Sequence, residues 1–416
     1  MQSLIVYADF DFLASPVEVG VLNYDRVRGK EVFSFSYRPE WLARYGGITL
    51  GRDLFTVSGL QYAREGIFGC FSDALPDRWG RTLAIKREAI EAQRENRSPR
   101  ELTSFDFLVS LDDYMRIGGF RFKESDGGPF LNDNTDLRVP PIAGIRELAA
   151  AVDMIEQSDE KGILPEGQWI NQLLHPGTSL GGARPKSNVL DTDGSMMVSK
   201  FPSRSDHYDV ALWEHFSHLL AGRCGINVAQ TSVMGSGEAY HILLSRRFDR
   251  RSDGRRIHFA SALTHLGFKD GASAADGKGY LDIVDFILQA CPDTEKNLEE
   301  LYRRVAFNIC IGNGDDHFRN HGFLLGPQGW TLSPAYDLNP SLSHEQSLMI
   351  SETTNDASLT ALLDAHDSYF LSKKKAESIV AEVMAKMAQW PALARQIHLS
   401  PSEVALFANR LNENLR

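Results

Sequence analysis

Gly312-Asn313-Gly314-Asp315-Asp316-His317-Phe318-Arg319-Asn320 sets Asp315 five residues ahead of Asn320 within one short polar run. Taken alone, such a run is a turn, because Gly, Asn and Asp are the residues that turns select. Its surroundings change the reading. Leu301 to Ile311 carries apolar residues at helical spacing, with Val305 and Ile309 on one side, and His321 to Leu325 reads as a short strand. Further on, Pro334-Ala335-Tyr336-Asp337-Leu338-Asn339-Pro340 holds another aspartate between two prolines. The Asp-to-Asn interval is that of a protein-kinase catalytic loop, where a carboxylate serves as base for an acceptor hydroxyl and an amide oxygen ligates a phosphate-bound metal. Helix, polar loop, strand and a later acid is the order of a kinase C-lobe, with Asp337 as the other metal ligand.

Phosphotransfer also needs a cradle for phosphates. Gly177-Thr178-Ser179-Leu180-Gly181-Gly182-Ala183-Arg184-Pro185-Lys186 offers adjacent glycines, whose N–H groups can approach phosphate oxygens, followed by Arg184 and Lys186 as compensating charge. It is not a Walker A loop, since the glycines adjoin and Pro185 precedes the lysine. Ser187 to Leu190 and Met196 to Pro202, joined by a turn at Asp191 to Gly194, read as a hairpin with Lys200 on a strand. Tyr208 to Leu220 has the stripe of an amphipathic helix, on which Glu214 is a candidate partner for Lys200. Ala239 to Phe248 is a buried-strand pattern that ends in polar residues.

Together these pieces resemble the HipA toxin kinases of bacterial type II toxin–antitoxin systems. The resemblance rests on Thr178 to Lys186, Lys200-Phe201-Pro202, Arg247-Phe248-Asp249-Arg250, Gly312 to Asn320 and Ser333 to Asp337, in that order. Ahead of them, Phe71-Ser72-Asp73-Ala74-Leu75-Pro76-Asp77-Arg78-Trp79-Gly80-Arg81 resembles the family's N-terminal domain. The resemblance implies an α+β fold: a protein-kinase-like two-lobed core with a mostly helical C-lobe, preceded by a smaller β-rich N-terminal domain. It implies Asp315 as the proton acceptor, with His317, Phe318, Arg319 and Asn320 as the rest of the nucleotide and metal loop. Tyr336 and Asp337 match the residues that close the site, Asn320 and Asp337 being the metal ligands. Gly181, Gly182, Ala183, Arg184 and Lys186 match the phosphate loop, and Lys200 matches the phosphate-binding lysine. Arg246, Arg247 and Phe248 match the adenine-side segment, with Arg246 standing where some members carry an acid. Ser179 matches the serine that members autophosphorylate, where about two added negative charges would repel ATP phosphates and silence the enzyme.

The implied cofactors are ATP and Mg2+. The implied partners are a HipB-like helix-turn-helix antitoxin and a protein substrate, which in studied members is an aminoacyl-tRNA synthetase; operator DNA is reached only through the antitoxin complex. Two other readings stay open. One is a small-molecule kinase on the same scaffold; the other is a catalytically dispensable binding module that acts as co-repressor with a DNA-binding antitoxin. The presence of Lys186, Lys200, Asp315, Asn320 and Asp337 together weighs against the last.

Bulk composition is compatible with this reading. The 416 residues are 43% apolar and 24% charged, the balance of a globular chain of two or three domains. A net charge of −11 opposes broad, unaided affinity for nucleic acid. Two basic clusters, Arg246, Arg247, Arg250, Arg251, Arg255 and Arg256, and Lys373-Lys374-Lys375, read as a solvated hairpin and a solvated helix end. Cys70, Cys224, Cys291 and Cys310 show neither zinc nor disulfide spacing and read as reduced thiols of a cytoplasmic protein. Leu4 to Ala8 lacks a basic leader and reads as a first strand, and no segment has the length of a membrane span. The expected organisation is an N-terminal domain over 1–123, a linker over 124–141 rich in Gly, Asp, Asn and Pro, and a core over 142–416, β-rich to 255 and helical from 256.

Overall fold

Leu4, Val6 and Ala8 are buried while their neighbours are not, so β1 (Gln2–Ala8) shows the period-two pattern of a strand with one face on a core. The computed structural model of the protein describes residues 1–133, 139–174, 182, 184–237 and 240–415. Contacts group the chain into two units: Met1–Ser205 with Arg246–Ala260, and Asp206–Ser245 with Ser261–Arg416.

The first unit is organised by an antiparallel five-stranded sheet. β2 (Val17–Val27) and β3 (Lys30–Tyr37) are joined by Arg28-Gly29, both at positive φ (51° and 80°), the two-residue turn whose twist matches that of the strands. With β4 (Leu60–Tyr62) and β5 (Phe120–Lys123) the order is β4-β3-β2-β1-β5. Phe33, Phe35, Phe71, Phe120 and Phe122 fill the core against this sheet. The helices of this part are α1 (Pro39–Tyr45), α2 (Gly69–Ser72), α3 (Arg78–Arg94) and α4 (Ser104–Ser110). α5 (Ile145–Glu160) packs against α6 (Gly167–Leu174), which also meets α3. The expected hairpin follows as β6 (Lys186–Leu190) and β7 (Met196–Lys200), antiparallel with Lys186 opposite Lys200.

The second unit begins with α7 (Val210–Arg223), capped where the Asp209 side chain accepts the Leu212 N–H. β8 (Thr231–Gly235) pairs with β9 (His241–Arg246), after which Arg246–Ala260 belongs to the first unit and holds most of β10 (His258–Ser261). α8 (Ala262–Leu266) and α9 (Tyr280–Ala290) lead to α10 (Thr294–Ile311), which is buried over most of its length and packs on α9. The hairpin β11 (Gly322–Gly326) and β12 (Gly329–Leu332) precedes α11 (Leu359–Asp364), α12 (Lys373–Met387), α13 (Trp390–Gln396) and α14 (Pro401–Glu413). α12 and α14 also pack on α10. Ser372 and Ser400 cap α12 and α14, so the lysine cluster at 373–375 is an exposed helix start. All four cysteines are free and buried, and burial pushes the Cys224, Cys291 and Cys310 thiols up to about 12. Among the described residues no helix is long and apolar enough to cross a membrane.

The arginine cluster corrects one expectation. Arg247, Arg250 and Arg256 do not form a solvated hairpin; their side chains are buried inside the first unit. The Asp249 carboxylate accepts from Gly118 N–H (2.8 Å), Arg247 Nη2 (2.7 Å) and Arg250 Nη1 (2.7 Å). Arg247 Nη1 also donates to the Met115 carbonyl (2.7 Å), and Arg256 Nη2 donates to the Asp113 carbonyl (2.8 Å) and carboxylate (3.0 Å). Two buried acids and a row of loop carbonyls are what keep these guanidinium groups inside. Arg251 and Arg255 stay at the surface, beside Asp11 and Asp253.

His258, on the same returning segment, is buried with its ring stacked 4.6 Å from Phe10, and its Nδ1 accepts the Gly119 N–H at 3.4 Å. Burial pushes this imidazole down to about 3. An unfolded histidine takes its proton near pH 6.5, whereas the folded one stays neutral far below that. Its contribution is therefore complete above about pH 6.5 and is lost as pH falls toward 3, by up to about 1.4 kcal/mol per pH unit. Denaturant melts of the wild type between pH 7 and pH 5 will show this acid slope, and His258→Gln will flatten it.

Candidate active site

The polar run begins where α10 stops. Gly312 adopts φ 77°, and a Cβ there would lie 2.6 Å from the Ser341 carbonyl oxygen, so only glycine fits this exit. The Gly312 carbonyl accepts from Ser341 N–H (2.9 Å) and Oγ (2.7 Å), and the Gly314 carbonyl accepts from Ser347 N–H (3.0 Å) and Oγ (2.7 Å). Arg410 of α14 reaches in beneath, donating to the carbonyls of Ile309 (3.0 Å) and Ser343 (3.0 Å).

Asp316 anchors the loop from within. Its buried Oδ2 accepts from Tyr280 Oη (2.6 Å), Asn308 Nδ2 (2.8 Å) and His321 Nε2 (2.8 Å). Burial pushes this carboxyl up, but the His321 charge and the hydrogen bonds outweigh it and hold Asp316 below the usual carboxylate value. Asp315, one residue earlier, is exposed. A fixed residue thus adjoins a carboxylate that faces solvent, the arrangement a general base requires.

Asn320 turns its Nδ2 back onto the Asp315 carbonyl (3.2 Å). The Asp337 segment lies along the same loop: Tyr336 Oη donates to the Arg319 carbonyl (2.5 Å), just as Ser341 binds Gly312 at the other end. Ala335 is pinned in turn by N–H donation to the Asn227 carbonyl (2.7 Å) and by accepting from Ala229 N–H (2.9 Å). Asp337 itself sits at φ 58°, a strained conformation for a non-glycine residue, and its Oδ1 accepts from Asn339 Nδ2 (3.2 Å). The structure therefore brings together the loop of Asp315 and Asn320 and the segment of Asp337.

These groups fit a magnesium-bound nucleotide. An amide oxygen and a carboxylate are hard donors, and Mg2+ commonly takes one or two such ligands, completing its shell with phosphate and water. His317 Nδ1 and Asn339 Oδ1 are buried with no hydrogen-bond partner among the described residues, as atoms awaiting a ligand would be. Among the described residues no cluster of three or more His, Cys, Asp or Glu makes a protein-only metal site.

Other expected residues have different surroundings. Phe318 is a core residue, its ring 5.2 Å from Phe268 and its carbonyl bound by Leu263 N–H. Arg319 Nε pairs with Asp270 at 2.8 Å. In the first unit, Lys186 and Lys200 face each other across β6 and β7, Arg184 is partly buried, and Gly182 adopts φ 89°. Ser179, Gly181 and Ala183 lie outside the described residues. Arg246 reaches toward Asp193 (3.6 Å), and Phe248 packs on Phe259. The Arg247 guanidinium is enclosed by Asp249, Asn188 and the carbonyls of Met115 and Arg116, so its charge is committed inside the unit. Sequence reasoning missed Asp316, Tyr280, Asn308 and His321 as the frame of the loop. His321 lies close by in sequence, but Tyr280 is 36 residues from Asp316, and nothing local marks it.

Asp315 and Asp316 should separate cleanly in thermal melts. Asp316→Ala leaves three buried donors without an acceptor and will cost roughly 3–5 kcal/mol, whereas Asp315→Asn will stay within about 0.5 kcal/mol of wild type.

Comparison with known proteins bears on both units. Residues 178–390 match the family model of the HipA-like C-terminal domain, and residues 11–109 that of the HipA N-terminal domain. The serine/threonine-protein kinase toxin HipA of Shewanella oneidensis is 25% identical over 214 residues, 45% of this chain and 48% of that protein. The chain thus spans about half the length of the curated relatives it matches. A chain in the solved complex of Shewanella oneidensis HipA, HipB and operator DNA aligns over 99% of this chain and 96% of its own, with a TM-score of 0.66 at 17% identity. That likeness carries the kinase-like α+β fold. With the C-terminal model matching half of its length, the chain belongs to the HipA family.

Proposed function

We propose that the protein is an ATP- and Mg2+-dependent serine/threonine protein kinase that serves as the toxin of a toxin–antitoxin pair. The observation that carries this reading is the exposed Asp315 carboxylate on a loop immobilised by Asp316 and docked against the segment of Asp337. Asp315 takes the proton of the acceptor hydroxyl as that oxygen becomes a nucleophile. Asn320 Oδ1 and the Asp337 carboxylate would hold Mg2+, which when bound screens the phosphate charge. Lys200, Lys186, Arg184 and the glycines Gly181 and Gly182 supply positive charge and N–H groups to the phosphates, and His317 has a buried ring nitrogen to offer. Tyr336 acts through its hydrogen bond to the loop, holding Asp337 in register with Asn320.

The acceptor is a serine or threonine of a translation component such as an aminoacyl-tRNA synthetase. Ser179 is the chain's own acceptor, and its phosphorylation shuts the enzyme down by charge repulsion at the phosphate loop. A small helix-turn-helix antitoxin of the HipB kind is the partner, and DNA is contacted through it; the solved relative was captured with HipB and operator DNA, which supports this pairing.

Incubation with labelled γ-phosphate ATP tests the assignment. Asp315→Asn and Asp337→Asn will each lower transfer by at least about a hundredfold, and wild-type rates in either variant would remove the role given to that residue. Phosphopeptide mapping will place the principal automodification at Ser179 and lose it in Ser179→Ala. Expression will arrest growth, and Asp315→Asn will relieve the arrest; arrest that persists in this variant would instead indicate a catalytically dispensable binding module.

A further inference from the structure

Lys186 and Lys200 are directly opposite in the antiparallel β6–β7 pair, so both side chains leave the same face of the hairpin. Two ammonium groups so placed repel each other. Lys186 is also buried, its side chain only 2% exposed, and a buried charge needs a counter-charge. Asp77 supplies that charge: its Oδ2 lies 3.2 Å from Lys186 Nζ, and its side chain is 1% exposed.

Asp77 is itself held rigidly. It is the N-cap of α3, where its Oδ1 accepts the Gly80 N–H at 2.8 Å, and Arg81 Nε ties the preceding Pro76 carbonyl at 3.0 Å. Gly182 also lies close to the ammonium. A Cβ at that position would come within 2.8 Å of Lys186 Nζ, and the glycine's φ of 89° suits no larger residue. The ammonium therefore has near it both a carboxylate fixed by a helix cap and a glycine with no side chain.

We propose that Asp77 is a positioning residue for nucleotide binding: its carboxylate holds the Lys186 ammonium beside Gly182, so that the N-terminal motif bears on phosphate recognition through Lys186. The proposal rests on the kinase reading above. Asp77 touches no phosphate; it acts through Lys186. The residue would thus join the Phe71 to Arg81 motif of the N-terminal domain to phosphate recognition.

Binding of Mg-ATP and of adenosine to the full chain, measured by titration calorimetry, tests this. Asp77→Asn keeps an oxygen for the Gly80 cap while removing the charge. It will weaken Mg-ATP roughly tenfold or more and leave adenosine within about twofold, and Asp77→Glu will recover part of the loss. In a Lys186→Met background, Asp77→Asn will add no further weakening, because the residue through which it acts is already gone. Unchanged or tighter Mg-ATP binding in Asp77→Asn, equal loss of both ligands, or additive losses in the double variant would overturn the proposal. A wild type that binds no Mg-ATP would instead remove the kinase reading on which it stands.

Discussion

One buried carboxylate holds the candidate catalytic loop in place. Asp316 gathers Tyr280 from the start of α9, Asn308 from the last turn of α10 and His321 from the edge of β11 onto one oxygen. A buried acid with one such partner would be a liability, whereas with three it is a fixed point. Every geometric statement about Asp315 and Asn320 depends on it, because they flank a residue that cannot move without stranding those donors. The serines at 341 and 347 then fasten the loop's carbonyls, while Arg410 binds the carbonyls of Ile309 and Ser343 beside it. Exposure at Asp315 and rigidity at Asp316 are what the proposed base would need, since a base must reach substrate without spending free energy on being ordered.

The first unit solves a similar problem with the opposite sign. There the surplus is positive: Arg247, Arg250 and Arg256 are drawn inward by Asp249, Asp113 and loop carbonyls, and Lys186 by Asp77. Buried ion pairs of this kind add little net stability, but breaking one leaves an uncompensated charge, so they specify geometry more than they stabilise it. In this unit they bind the segment 246–260 to the loop at 113–118 and β6 to the N-terminal helix cap.

Much of the architecture was legible because it is written in local periodicity. The α10 pattern and the β6–β7 hairpin follow from spacing and turn chemistry within a few residues. The arginines at 247, 250 and 256 were misread for the same reason. Beyond Asp249, the carbonyls and the Asp113 carboxylate that receive them lie more than a hundred residues away in sequence, and a run of arginines beside Asp249 and Asp253 looks like solvated surface when only neighbours are weighed.

The sequence by itself determined the types of group present: an Asp and an Asn at kinase-loop spacing, a later Asp between prolines, glycines followed by a lysine, and a lysine on a strand. These depend on chemistry and spacing along the chain, which the order of residues states outright. Tertiary structure alone decided which of two adjacent aspartates is the anchor and which is exposed, that Asp337 lies along the loop of Asn320, and that Lys186 finds its counter-charge in a helix cap more than a hundred residues earlier. Burial and pairing are properties of distance in space, and a buried charge is defined by the partner that folding brings to it.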